Sequence, residues 1–161
     1  MIFSVLQWNN WTIARYGIFI ESIVLALVYI SAIRTTATRR GFTLLVILSL
    51  LVWGAVAILY HAPEKLDSSA FTLGMMIAIC YGLSYLFLEF RHDHEPITRR
   101  PLFWVATGSL LYNVGALILI GLANELLKMG TVYFYQAWQV NFILIMIANG
   151  CYLKGFLCKT P

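Results

Sequence analysis

The sequence predicts an all-α fold, an integral membrane bundle of five transmembrane helices. Three observations carry that expectation. First, 61% of the 161 residues are hydrophobic and only 11% are charged, with a mean hydropathy of +0.81. A soluble domain is about 45–50% apolar and about 25% charged, so most of this exterior is expected to face lipid. Second, the apolar residues fall into five runs of 19 to 23 residues, against the roughly 20 that cross a hydrocarbon core of about 30 Å. Third, the basic residues gather between those runs, where they set orientation. The net charge of +4 therefore points to no nucleic-acid partner.

Residues 1–12 are too short to cross a bilayer. Trp8 and Trp11 flank two asparagines there, as in an interfacial segment leading into a helix. The spans are expected at about 13–33, 42–60, 71–90, 101–123 and 133–153. The fourth has the clearest start. Arg99 and Arg100 stop at Pro101, which suits a first helical turn because its missing N–H would be unsatisfied there anyway. Phe103 and Trp104 supply an aromatic anchor at headgroup depth, and an uncharged stretch follows. Inside it Ser109, Asn113, Ala116 and Ala123 are spaced by four, three and seven residues and so share one side of the helix. A small, weakly polar stripe is what one helix shows to another in lipid.

Orientation follows from the Lys and Arg count. Arg34, Arg39, Arg40, Arg91, Arg99, Arg100, Lys154 and Lys159 fall on one side, eight of the eleven, and Arg15, Lys65 and Lys128 on the other. The richer side is expected to be cytoplasmic, with the N-terminus outside and the C-terminus inside. Trp8, Trp11, Tyr60, Tyr133, Tyr135 and Trp138 then form an outer aromatic belt. The cytoplasmic pieces, about 34–41, 91–100 and 155–161, are too short for a soluble domain. No cleavable signal peptide is expected, since no basic region or small-residue cleavage site precedes the first span. Cys80 lies mid-span and Cys151 and Cys158 near the end of the last span, so no disulfide framework is expected.

Glu21 is the most informative single residue, near the middle of the first span. A charged carboxylate at that depth costs about 2.5–3.5 kcal/mol on insertion scales, so it should face the bundle, be paired, or be protonated. It reads either as a proton- or ligand-responsive acid or as a neutral acid that fixes helix packing; Arg15, Asn113 and the asparagines of the fifth span are its candidate partners. Asn113, Asn141 and Asn149 are the other polar positions expected inside the spans, the last two eight residues apart on roughly one face. They read as interhelical hydrogen bonds or as the lining of a small polar pocket. His92-Asp93-His94-Glu95 is a weak metal candidate through His92 and His94. Adjacent residues converge poorly on one tetrahedral centre, and no second cluster completes the set, so a solvated loop without metal is expected. Met75, Met76, Tyr81 and Tyr85 of the third span read as packing before they read as a cavity. Cys158, at the inner face, is an acylation candidate of lower standing. No phosphate loop, nucleophile–base pair or zinc-protease helix is present, so neither an enzyme nor a cofactor is expected.

In Pro101-Leu102-Phe103-Trp104, Gly108, Tyr112 and the Asn149-containing last span, with the acid of the first span as a further match, the chain resembles a group of uncharacterised multi-pass membrane proteins of Bacteroidota. The likeness covers most of the chain from about residue 12 onward. Members of that group tend to have seven helices, and this chain is similar to the last five; losing two keeps the N-terminus outside. They are often encoded beside histidine kinases. The resemblance thus implies a bacterial inner-membrane protein in signal transduction, with a histidine kinase or another membrane subunit as partner, and it supplies no catalytic residue. The leading expectation is a non-enzymatic sensory or accessory subunit. The alternative is a small transporter or channel subunit with Glu21 as its coupling acid, which the lack of an internal repeat weakens.

Overall fold

In the computed structural model, residues 2–33, 35–59, 68–92 and 96–158 are described, with the side chains of 16–33, 35–56, 58–59, 71–90, 96–123, 125–126 and 128–158. The chain is all-helical: α1 (Ile2–Ala32), α2 (Thr36–Leu59), α3 (Ser68–His92), α4 (Pro101–Met129) and α5 (Thr131–Leu157), with a 3-10 turn at Ile97–Arg99. Four helices are long and apolar enough to cross a membrane, over Thr36–Val56, Phe71–Phe90, Pro101–Ala123 and Thr131–Leu157, and Tyr16–Ala32 of α1 is a shorter apolar fifth. Their outer faces carry large apolar side chains such as Leu48, Leu51, Ile58, Ile118 and Met146. That exterior suits hydrocarbon, where an α-helix satisfies its own backbone.

The helix limits differ from the sequence expectation in three places. Residues 2–12 form no separate segment but the first turns of a continuous α1, because nothing between Ile2 and Ala32 breaks a helix except the tolerated Gly17. Arg39 and Arg40 lie on α2 rather than in a loop. The Thr35 carbonyl accepts the Arg39 N–H at 2.9 Å, and the Thr35 hydroxyl donates to that of Thr38 at 2.7 Å, so the helix starts a turn and a half before its apolar run. The third difference is the expected loop between the last two spans. It shrinks to one residue, Gly130, whose φ of 135° is open to glycine and strained for other residues. The Gly130 N–H caps α4 by donating to Leu126 O at 3.1 Å. The end of α4 stands beyond its apolar window, with an exposed Lys128–Glu125 pair at 2.7 Å.

The chain divides into two compact units, Met1–Ile77 and Ala78–Pro161. In the first, Ile18, Ser22, Leu25, Ala26 and Tyr29 make one buried stripe on α1, and Phe42, Val46 and Trp53 one on α2. The spacings of three, four and seven keep each set on one face. Phe19 and Trp53 stack with ring centroids 4.4 Å apart. A Cβ at Gly74 would stand 2.5 Å from Ile18 Cγ2 and 3.2 Å from Trp53 Nε1, so α1, α2 and the start of α3 converge on that missing side chain.

The second unit is built on an antiparallel α4–α5 hairpin with glycines along its seam. A Cβ at Gly155 would lie 2.9 Å from the Pro101 carbonyl, and one at Gly108 would lie 2.9 Å from both the Ala148 carbonyl and Tyr152 Cε1. A Cβ at Gly115 would strike Leu144. Close backbone approach of this kind is how helices gain contact area where no hydrophobic effect drives them together. On α5 the contacting residues Leu144, Ala148, Cys151, Tyr152 and Gly155 repeat by three, four or one, a single face. The second half of α3 meets α4 where Gly82 opposes Leu110; a Cβ on that glycine would come within 3.0 Å of Leu110 Cγ.

Candidate functional site

The small stripe on α4 is buried. Ser109 and Asn113 are each 1% exposed, and Ala116 and Ala123 each 2%. Ala106 and Ile120 complete that face, which is turned roughly a quarter to a third of a turn from the glycine seam that meets α5. Asn113 Nδ2 donates to the Ser109 carbonyl at 2.9 Å and to Ser109 Oγ at 3.2 Å. One turn of helix separates the two residues, so the amide folds back along its own helix and the pair forms one buried polar spot. It can bind a neighbouring helix or hold a small polar group. It carries no charge.

The other polar expectations separate. Asn141 is half-buried, seven residues before Ala148 on the side of α5 that faces α4. Asn149 is exposed, a correction to its expected place inside the bundle. A residue turns an α-helix by about 100°, and a spacing of eight leaves about 80°, enough to carry Asn149 off the face that meets α4. Glu21 is half-buried on α1, in the first unit, whereas the three asparagines belong to the second. The Arg15 side chain, Tyr60, His61, Lys65 and Lys159 lie outside the described residues, as do the side chains of Trp8, Trp11 and His92 and all of residues 93–95. No group of three or more His, Cys, Asp or Glu that would hold a metal occurs among the described residues. Met75 and Tyr81 are fully buried and Tyr85 nearly so, whereas Met76 is exposed. All three cysteines are free thiols.

The feature that sequence reasoning missed is charged. Arg100 Nη1 donates to Glu89 Oε1 at 2.5 Å, with side chains only 14% and 24% exposed. Both ends of the connection between α3 and α4 are thereby tied. Trp104 Nε1 donates to the Thr98 carbonyl at 2.8 Å, and the Arg99 and Arg100 N–H groups close the 3-10 turn on Pro96 and Ile97. Arg100 is thus an internal counter-charge, while Arg99 and Lys154 stay exposed. The signal lay in Glu89, an acid at the end of an apolar run, eleven residues from a cation across a proline-marked turn. Such a pair fixes helix ends and leaves the remaining basic residues to meet water or anionic headgroups. No protein-family model, no curated protein and no solved structure matches this chain.

Proposed function

We propose that this chain is a non-enzymatic multi-pass membrane protein that acts as a sensory or accessory subunit through a partner. One observation carries the reading. The described residues are almost wholly apolar helix, with a single glycine between α4 and α5, so a signal can leave them only through helix faces and short rims. The buried polar groups among the described residues, Ser22, Ser109 and Asn113, suit helix contact. By the Bacteroidota resemblance the membrane is a bacterial inner membrane, and by the excess of Lys and Arg the N-terminus is outside and the C-terminus cytoplasmic. The Bacteroidota resemblance makes a histidine kinase the first partner to seek, with another membrane subunit next. The test is purification of the tagged chain in mild detergent from its native cell, with its companions identified by mass spectrometry. Stoichiometric recovery of a kinase or of a defined membrane complex is expected. A chain that elutes with no companion overturns the reading.

A second reading, a small transporter or channel subunit, draws on the half-buried carboxylate of Glu21. A carboxylate at span depth is a candidate carrier of a proton. In reconstituted vesicles, flux that depends on a proton gradient and disappears in Glu21→Gln would favour it. Unchanged behaviour of that variant would leave Glu21 a packing acid.

A further inference from the structure

The face of α5 that points away from α4 carries a heptad seam. Tyr135, Gln139, Phe142, Met146, Asn149 and Leu153 follow one another by four, three, four, three and four residues, and all six are exposed. Alternating threes and fours are the spacing of knobs that pack into a parallel neighbour. Two of the six are amides. Gln139 and Asn149 stand five residues to either side of Leu144, the midpoint of α5, and so about 7.5 Å from it along the axis. Asn149 therefore falls well within a hydrocarbon core of about 30 Å, and Gln139 lies just inside the outer aromatic belt, one residue past Trp138. An amide left bare at that depth is costly, because no water is there to bond it.

We infer that a second copy of this chain covers the seam, packing α5 against α5 in parallel about a two-fold axis normal to the membrane. Three features favour a copy over another partner. Chains inserted the same way place each seam position against itself in a parallel pair. A primary amide is both donor and acceptor, so Gln139 meets Gln139 and Asn149 meets Asn149 with their hydrogen bonds matched at both depths. From Thr131 to Leu153 the helix carries no ionised residue, so this face asks for no partner of opposite charge. Gly150 sits beside the seam with nothing within 4 Å of where its Cβ would be, which leaves room for a second backbone. A polar pair within an apolar seam also fixes register, because a slip would set each amide against Phe142 or Met146.

The test is oxidative cross-linking of the full chain in bacterial membrane vesicles, in a background with Cys80, Cys151 and Cys158 replaced by alanine. Met146→Cys and Leu153→Cys are expected to form disulfide-linked dimers, and Ile118→Cys, exposed on α4, is not. Adding Gln139→Leu and Asn149→Leu to the Met146→Cys chain should cut the dimer yield about tenfold, the scale of two interhelical amide pairs. Photobleaching of the chain with its native residues, labelled once, should show two steps per particle. Equal linkage at all three sites, insensitivity to loss of the amides, single-step bleaching, or linkage only to a different protein would each overturn the inference. The accessory reading stands or falls separately, on whether a companion is recovered.

Discussion

Asn113 shows how a polar residue is accommodated in an apolar span. Its amide donates to both the carbonyl and the hydroxyl of Ser109 while the residue is 1% exposed. Asn113→Ala removes the bonds and leaves a void, which should cost about 1–3 kcal/mol. The measurement is the thermal unfolding midpoint of the purified chain in detergent. Glu89→Gln should cost about as much, roughly 1–3 kcal/mol, because it leaves the Arg100 guanidinium poorly matched in a part-buried setting. Glu125→Ala, by contrast, removes a pair exposed to about two thirds on both sides and should change the midpoint by under about 0.5 kcal/mol. The same detergent series reads all three. The stripe of Ser109, Asn113, Ala116 and Ala123 was legible because helical spacing and small size both mark a contact face. The Glu89–Arg100 pair was not, since a cation beside a span reads as a solvated orienting charge until the turn that folds it back is known. Asn149 was misplaced for a simple angular reason. Eight residues is near two turns, but the residual 80° separates a contact face from an open one.

At the scale of the helix, glycines decide which faces meet. Gly108 allows the α5 backbone at Ala148 to approach, and a carbonyl, unlike a side-chain tip, cannot swing aside. Gly108→Leu should therefore part the α4–α5 hairpin and cost several kcal/mol, at least about 3, read as loss of the folded species in native electrophoresis. Gly121, with nothing within 4 Å of its Cβ position, should accept alanine without loss, and with a gain of up to about 1 kcal/mol in helix propensity. The sequence marks both residues only as glycine in a span; the difference lies in what stands opposite. The all-helical fold, with its long apolar helices, was legible from length and hydropathy. Helix ends were not. Hydropathy reports where a helix is apolar, whereas the bond from the Arg39 N–H to the Thr35 carbonyl and the single-residue turn at Gly130 mark where it begins and stops.

For the whole molecule, the central claim is that the chain crosses the membrane five times. Four helices meet that description by length and composition. The first is the critical one, because its described apolar part, Tyr16–Ala32, has 17 residues and a length of about 26 Å. It needs the turn before it to span a core of about 30 Å. An odd number of crossings puts the two termini on opposite faces, and the proposed orientation has the C-terminus in the cytoplasm. The direct measurement fuses a reporter active only in the cytoplasm, and separately one active only outside, to each end of the full chain. Five crossings predict an external N-terminus and a cytoplasmic C-terminus. Both termini on the same face would contradict them, and would mean that α1 lies along the membrane instead of crossing it.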